Sequence, residues 1–422
     1  MTFAWITPKA YQRMLEVARQ GGDRAKEAEA LYQIGFGFYL AHEFEKALEF
    51  SHQAKALALE IGSKRVLAGS IWVIGTVHAI VGKLDEAAHC FEESLKVSRE
   101  AGDKSQEGFN LWILGVIPNW QGKYKQALQL LEQGIALGQT HNLQFILLLI
   151  LWVKGITSCG NGEYEDALDS LKEGLELSKR LGDKILKCRI LNILGWVYGE
   201  LYNLEAAIRY NQEGAEVSYP IGDPDIIRNA EINLSDNYIL LGDLEQAQKY
   251  LEKVYRDSQQ RGKWGEEFMK WRYSQHLHHS LGELWLKKGD AEQALAFAEE
   301  CLKLAEPTSS RKNIVKGWRL KGQVFLTQGN LSEAEEALHK ALMIAREIGN
   351  PPQLWKTSQA LGELYEQKGD VEQARSAYGS AIQVIEEVAS RLQDQELKRI
   401  FLSARPVQEI RESLERLKGV TT

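Results

Sequence analysis

Apolar residues recur along the chain with the period of an amphipathic helix, and one stretch shows the pattern clearly. The side chains of Leu191, Leu194 and Tyr198 are spaced three and four residues apart, so they share one face of a helix. Gly195 lies between them, and Ala207 follows it twelve residues later. Small residues at these two positions allow two helices to approach closely. The pattern predicts a pair of antiparallel helices.

The same two small residues recur along nearly the whole chain. A glycine, replaced by serine at position 235, is followed twelve residues later by an alanine, and this unit repeats every 40 residues with one interval of 47. The glycine positions are 35, 75, 115, 155, 195, 235, 282, 322 and 362. Further glycines within and after most units supply the left-handed residue that ends a helix. The sequence therefore predicts an all-α fold of about nine helix pairs.

The pattern that begins at Leu191, Leu-x-x-Leu-Gly-x-x-Tyr…Ala, resembles the signature of the tetratricopeptide repeat (TPR). The unit is longer than the common TPR of about 34 residues, as in the arrays of kinesin light chains, Pins/LGN spindle-orientation adaptors and MalT-like bacterial regulators. The resemblance implies a right-handed α-solenoid of about nine helix-turn-helix repeats with a C-terminal capping helix. It is specific for the fold but not for the ligand, since such arrays serve many functions.

Domain boundaries follow from the repeat count. Residues 1–22 are predicted to form an N-terminal helix that is half of a truncated repeat, residues 23–392 nine repeats, and residues 393–422 a capping helix and tail. Seven extra residues fall within residues 263–281, and we expect them to lengthen the first helix of repeat seven. The half repeat at the start indicates a piece of a longer protein.

Composition limits the classes of binding partner and the cellular compartment that we expect for the protein. The net charge of −7 at pH 7 gives no overall attraction to phosphate or anionic lipid, so we expect neither nucleic acid nor membrane as a partner. Cys90, Cys159, Cys188 and Cys301 are scattered, as in a protein of the reducing cytoplasm. The longest apolar run, residues 145–153, is far shorter than the ~20 residues of a membrane-spanning helix.

The resemblance also implies which positions face the concave groove of the array. In repeats one to five these positions are mostly aromatic: Tyr32, Phe36, Tyr39, Trp72, Phe109, Trp112, Trp120, Trp152, Ile156 and Trp196. Exposed tryptophan and tyrosine side chains anchor protein interfaces, which predicts a groove that binds a peptide or a partner helix. The alternative is that the tryptophans pack between successive helices.

In repeats seven to nine the same positions are mostly charged. They hold His276, His279, Glu283, Lys316, Arg319, Gln323, Lys356, Glu363 and Glu366. We expect Lys316, Arg319 and Lys356 to bind a carboxylate or an acidic peptide, the alternative being a solvated charged surface. Arg189 marks the border between the aromatic and charged halves, where we expect a partner to bind.

Residues with catalytic or metal-binding spacing are few. His276, His279 and Glu283 fall at i, i+3 and i+7 on one helical face, a spacing that suits a transition metal, but no fourth ligand is evident and we expect no metal. Because the chain also lacks a P-loop and the common hydrolase motifs, we expect a non-catalytic scaffold without a cofactor. The alternative is a ligand-sensing or regulatory region of a larger MalT-like regulator, ATPase or cyclase that recognises a small molecule.

Overall fold

The computed structural model describes residues 8–259 and 270–418, and every regular element in these ranges is an α-helix. The first eleven helices are α1 (Pro8–Gln20), α2 (Arg24–Leu40), α3 (Phe44–Ile61), α4 (Lys64–Ile80), α5 (Leu84–Ala101), α6 (Lys104–Trp120), α7 (Tyr124–Thr140), α8 (Gln144–Gly160), α9 (Tyr164–Leu181), α10 (Lys184–Glu200) and α11 (Leu204–Ser218). The other ten are α12 (Pro224–Leu241), α13 (Leu244–Gln259), α14 (Lys270–Lys287), α15 (Ala291–Ala305), α16 (Arg311–Thr327), α17 (Leu331–Ile348), α18 (Pro351–Lys368), α19 (Val371–Arg391), α20 (Gln395–Ser403) and α21 (Arg405–Lys418).

Helices α2 to α19 form nine successive pairs, α2 with α3 through α18 with α19. The all-α prediction is therefore confirmed. The chain divides into two compact units. Of the described residues, 8–117 and 129–147 belong to the first unit, and 118–128, 148–259 and 270–418 belong to the second.

In most pairs the repeat glycine makes the close contact, but its nearest neighbour is not the alanine; at Gly282 it is Leu320 of α16, outside the pair, and position 235 is a serine. A Cβ atom at Gly195 would lie 2.3 Å from the side-chain oxygen of Asn211, one helical turn beyond Ala207. Likewise a Cβ atom at Gly155 would lie 2.4 Å from the side chain of Leu171. Glycine is therefore needed because the residue sixteen positions later occupies the space a side chain would take.

The turns between helices follow standard capping chemistry. Gly182 ends α9 in the left-handed conformation, with φ of 68°, and the side chain of Asp183 then accepts a hydrogen bond from the backbone N–H of Leu186 at the start of α10. The same glycine-then-acid or glycine-then-amide order follows many of the helices. Local sequence thus sets where most helices begin and end.

The C-terminal segment forms two helices where the sequence analysis expected one capping helix. The break lies at Ala404, which is extended, with ψ of 138°. Pro406 follows in the first turn of α21, where its missing N–H costs no helical hydrogen bond. Phe401 and Val407 are fully buried, so both helices cover apolar surface.

Three further predictions concern the insertion, membrane-spanning helices and the cysteines. The seven extra residues expected within residues 263–281 fall partly outside the described residues, since 263–269 are not described and 270–281 belong to α14, which has 18 residues. In the part of the chain that the structure describes, no helix is both long and apolar enough to cross a membrane. The four cysteines are unpaired thiols, and Cys159, Cys188 and Cys301 are buried.

Candidate functional site

The aromatic side chains of the first unit pack against one another. Trp72 is only 9% exposed, and its ring centroid lies 6.4 Å from that of Phe36, 6.0 Å from Tyr39 and 6.1 Å from Phe109. Burial raises the pKa of Tyr39 to about 12. The half-buried members of this predicted set are Tyr32, Phe36, Tyr39, Phe109 and Trp112. Trp72 thus fits the alternative of packing between helices, and partner binding by the other aromatic residues stays a prediction.

The second unit contains an open cavity of about 160 Å³, called here the larger cavity only by comparison with the adjoining one described below. Its amide side chains are Asn119, Asn229, Asn233, Gln275 and Asn313, and its aromatic side chains are Trp120, Tyr124, Trp196 and Tyr273. Ile156, Ile193, His276, Lys312 and Lys316 complete the main side-chain lining. Asn233, Gln275 and Asn313 donate hydrogen bonds within the fold, and the amides of Asn119 and Asn229 offer donors to a ligand, as a peptide backbone does. This cavity therefore unites predicted residues of the aromatic half with Lys316 of the charged half.

Two lysines of the larger cavity, Lys312 and Lys316, are called here the basic pair. They lie four residues apart, on one face of α16. Among the described residues, no carboxylate lies within 4.0 Å of either ammonium group. The Lys312 ammonium group instead lies 4.2 Å from the centroid of the Trp196 ring. Burial, together with the nearby charge of Lys316, lowers the pKa of Lys312 to about 8.

A second cavity, of about 60 Å³ and called the smaller cavity, shares Trp196, Asn233 and Lys316 with the larger one. In the smaller cavity a positively charged side chain lies beside a negatively charged one. The Lys356 ammonium group lies 3.7 Å from the carboxylate of Glu200, which also accepts a hydrogen bond of 3.0 Å from the Trp196 indole N–H. Burial raises the pKa of Glu200, but Lys356, Lys312 and Lys316 outweigh burial and leave it lowered.

Arg319 and His279 lie deep in the smaller cavity. The Arg319 guanidinium, 2% exposed, donates a hydrogen bond of 2.6 Å to Gln353 and lies 4.0 Å from Glu283. Burial, then the charges of Lys316 and Arg319, hold the pKa of His279 well below its usual value, so its imidazole is neutral. Of the three basic residues predicted to bind a carboxylate, Lys356 and Arg319 thus have partners in the fold, whereas Lys316 has no acid within 4.0 Å in the part of the chain that the structure describes.

The histidines that suggested a metal site contact different partners. His276 Nε2 lies 2.6 Å from Asp236, whereas His279 Nε2 lies 3.4 Å from Glu283. Within residues 8–259 and 270–418, the structure brings together no group of three or more His, Cys, Asp or Glu side chains that could hold a metal ion. The spacing along α14 thus does not become a ligand set in the described part.

Arg189, expected at the border of the two halves, is held inside the second unit. Its guanidinium donates a hydrogen bond of 2.6 Å to Asp225 and lies 5.4 Å from the centroid of the Trp152 ring. Burial lowers the pKa of Arg189, and the charge of Asp225 more than offsets this effect. Tyr273 also donates to Asp225, at 3.1 Å. Arg189 therefore positions the walls around Trp152 and Tyr273.

One wall of the larger cavity is held by contacts between distant segments of the second unit. The side-chain N–H of Asn350 donates a hydrogen bond of 2.8 Å to the carbonyl of Gly160. Tyr124 packs against Ile348 in a buried cluster that also contains Val315. These contacts join the start of α7 and the end of α8 to the end of α17 and the turn that follows it. They close the side of the cavity that Tyr124 and Gly160 line.

Several cavity residues were not anticipated from the sequence. Lys312 lies one helical turn before Lys316, outside the repeat positions used to identify the groove. The amide-bearing residues Asn119, Asn229, Asn233, Gln275 and Asn313 were also missed. A signal for Lys312 was present in the four-residue spacing between two like charges on one helical face, an arrangement that is unfavourable without an anion.

Comparisons with known proteins place these observations among helical repeat proteins. Family models described as tetratricopeptide repeat match residues 232–256, 275–300 and 313–387, and a model of anaphase-promoting complex subunit 5 matches residues 38–114. No curated protein matches the chain. Many solved structures do match.

Two solved structures share the fold over most of the chain. One is a Rap protein complexed with Competence and Sporulation Factor, with 14% sequence identity and a TM-score of 0.57, covering 83% of this chain and 99% of its own. The other is the Rap conjugation gene regulator of the plasmid pLS20 in complex with the Phr* peptide, with 15% identity and a TM-score of 0.57, covering 86% and 96%. At this identity the likeness establishes the fold alone.

Proposed function

The chain is an array of tetratricopeptide repeats, and on that basis we propose that it is a non-catalytic binding protein whose second unit holds a peptide in the larger cavity. The observation that carries the proposal is the lining of this cavity. Five amide side chains, several aromatic rings and the basic pair surround about 160 Å³ of space. Such a mixture of apolar walls and a few polar groups is typical of ligand sites.

The fold likeness supports a peptide as the ligand class. Both similar Rap structures are complexes, and one of them contains the Phr* peptide. Amide side chains pair with both the N–H and the carbonyl of an extended backbone. Asn233, Gln275 and Asn313 already donate hydrogen bonds within the fold, so the amides that favour a peptide over the small molecule of the alternative interpretation are those of Asn119 and Asn229. We further propose that the protein acts in the cytoplasm, where its buried thiols stay reduced.

A cavity-filling substitution tests the proposal without removing a polar contact. Ile193 lines the larger cavity on α10, and Ile193→Trp adds side-chain volume there. The matched control is Ile185→Trp on the same helix, because Ile185 is 44% exposed. The purified wild-type chain and both variants are each incubated with a random pentapeptide library, and captured peptides are identified by mass spectrometry.

We expect wild type and Ile185→Trp to capture the same peptides, and Ile193→Trp to capture at least about tenfold less, since each 1.4 kcal/mol of lost binding is tenfold in affinity. Far-UV circular dichroism and thermal melting must show that both variants are folded. Equal capture by folded Ile193→Trp and wild type would overturn the assignment of the peptide to this cavity.

A further inference from the structure

We propose that the basic pair binds a carboxylate of the peptide ligand, supplied by an acidic side chain or by the peptide's C-terminus. The inference rests on the proposed peptide-binding function and names the group that the larger cavity recognises. Its first ground is charge. Lys312 and Lys316 present two ammonium groups to one cavity, and in the described residues neither has a carboxylate within 4.0 Å.

The geometry of α16 makes this arrangement unfavourable without a ligand. Residues four apart are neighbours on a helix surface, so the two ammonium groups repel each other. A structural lysine normally reaches solvent or pairs with an acid, as Lys356 does with Glu200 at 3.7 Å. A carboxylate placed between Lys312 and Lys316 accepts hydrogen bonds from both, because each carboxylate oxygen has two lone pairs.

Two buried polar side chains that line the smaller cavity give independent evidence for a bound polar group. His279 and Asn237 are 2% and 3% exposed, and both line the smaller cavity. In the described residues neither ring nitrogen of His279 makes a hydrogen bond, although Glu283 lies 3.4 Å from Nε2, and the side-chain nitrogen of Asn237 makes none either. Buried polar groups are usually hydrogen-bonded. Their position beside Lys316 gives a bound carboxylate-bearing residue further donors next to the basic pair.

The chemistry favours a carboxylate over a phosphate. The carboxylate of Glu200 lies 3.7 Å from Lys356 and also interacts electrostatically with both lysines of the basic pair, and Asp236 interacts with Lys316, so less than two positive charges remain uncompensated. The Arg319 guanidinium, the group best suited to a phosphate fork, donates to Gln353. A singly charged carboxylate therefore matches the site better than a doubly charged anion.

The test uses three pools of random N-acetylated pentapeptides and the full chain. The first pool lacks Asp and Glu and has a free C-terminal carboxylate. The second is amidated at the C-terminus and carries one Asp or Glu at each position in turn. The third is amidated and lacks Asp and Glu. Captured peptides are identified by mass spectrometry, and the dissociation constants of the enriched ones are measured by calorimetry.

Each peptide is measured with wild type, Lys316→Met and the control Lys287→Met. Methionine keeps the length of the lysine side chain without its charge, and Lys287 is an exposed lysine of α14 that does not line the cavities. We expect enrichment from the first or second pool, an affinity loss of about tenfold or more in Lys316→Met, and no change in Lys287→Met. Which pool is enriched identifies the source of the carboxylate.

The remaining outcomes distinguish a failure of the carboxylate inference from a failure of the proposed peptide-binding function. Equal enrichment from the third pool overturns the carboxylate while leaving peptide binding intact. Enrichment that Lys316→Met does not weaken overturns the assignment to the basic pair. No enrichment from any pool overturns the proposed function together with this inference. Lys316→Gln serves as a second variant, so that a folding defect of one substitution does not decide the result.

Discussion

The Lys312 ammonium group lies 4.2 Å from the centroid of the Trp196 indole ring. The two residues come from α16 and α10, helices separated by several repeats. The repeat positions predict aromatic groove residues in the first half of the chain and charged ones in the second. Within the second unit an aromatic residue and a charged residue are in direct contact. The cation is attracted to the negative face of the indole ring. Because of this contact, a substitution of Lys312 should affect both ligand binding and the stability of the fold.

We expect Lys312→Met to stabilise the ligand-free protein at pH 7. The lysine is half-buried, has no acid within 4.0 Å among the described residues, and has its pKa lowered to about 8. Removing its charge should raise the free energy of unfolding by about 2 kcal/mol, less than the pKa shift alone implies because solvent screens a partly exposed group. Urea unfolding at pH 7 measures the change. A destabilised variant would contradict this prediction.

The gain from Lys312→Met should depend on pH in a defined direction. A lysine whose folded pKa lies below its unfolded value of 10.5 destabilises the folded protein fully below the folded pKa, and the penalty fades as pH rises from about 8 towards 10.5. The groups that face Lys312 are Lys316 and Lys356, which lower its pKa, and Glu200 and Cys159, which raise it. The difference between variant and wild type should therefore shrink at pH 10. A difference that is unchanged from pH 7 to 10 argues against the lowered pKa.

Glu200→Gln should destabilise the protein because Glu200 is the carboxylate that balances Lys356. We expect a loss of about 2 kcal/mol in the free energy of unfolding, at the lower end for a buried pair since the Lys356 side chain is 29% exposed. The lowered pKa of Glu200 means that its contribution is present above about 4.5 and is lost as pH falls through the folded value.

A double-mutant cycle isolates this pair. Glu200→Gln combined with Lys356→Met should cost less than the sum of the two single substitutions, because the double variant leaves no unpaired charge from the pair. Thermal melting of the four proteins at pH 7 gives the coupling energy. Strictly additive effects would show that the 3.7 Å contact contributes nothing to stability.

The helix pairs could be predicted from the sequence because local rules determine them. Gly195, Ala207 and the capping residue Asp183 act within one or two turns of their own positions, and the structure shows the helices they indicate. The larger cavity could not be predicted in this way. The contact of Lys312 with Trp196 joins helices that are distant in sequence, and no helical period records it.

The roles of single groove residues were equally inaccessible from the repeat position alone. Arg189 shares the second unit with Lys316, yet it is paired with Asp225, 36 residues away, whereas Lys316 has no acid within reach in the described residues. Trp152, at the same repeat position as Arg319, is 8% exposed and packs under Arg189. Whether such a side chain is free to bind a ligand depends on which residue it pairs with inside the fold. Tertiary packing determines that pairing.

Asn350 should be needed for the contact that closes one wall of the larger cavity. Its side-chain oxygen caps α18 by accepting from Gln353 N–H at 3.3 Å, while its N–H₂ donates to the Gly160 carbonyl. Asn350→Asp keeps the cap but replaces the donor with a second acceptor. We expect a loss of about 2 kcal/mol, because the buried carbonyl is left unpaired beside a carboxylate.

The matched control for Asn350→Asp is Asn203→Asp. Asn203 caps α11 in the same way, accepting from Ala206 N–H at 3.2 Å. A carboxylate at a helix N-terminus is slightly favourable, so Asn203→Asp should be neutral or stabilising by a few tenths of a kcal/mol. Denaturant midpoints of the two variants measure the contrast. If both shift alike, the Gly160 contact makes no contribution in solution.

Gly162→Ala should be more costly than substitution of a turn glycine that has no neighbour. Gly162 has φ of +81°, and a Cβ atom there would lie 2.6 Å from Cγ of Pro351, at the start of α18. Gly242 has φ of +87° with no atom within 4 Å of the added Cβ. Both substitutions place alanine in the left-handed region, which costs about 1 kcal/mol.

The amount by which Gly162→Ala lowers the free energy of unfolding beyond the effect of Gly242→Ala therefore measures the contact with Pro351. We expect Gly242→Ala to lower the free energy of unfolding by about 1 kcal/mol and Gly162→Ala by about 2 to 3 kcal/mol, because the proline ring is rigid and must move with its backbone. Gly162→Ala should also weaken peptide capture, since the same turn adjoins Gly160 in the wall of the larger cavity. Equal destabilisation by the two substitutions would mean that this wall is open in solution, and would require the ligand to be held by α10, α12, α14 and α16 alone.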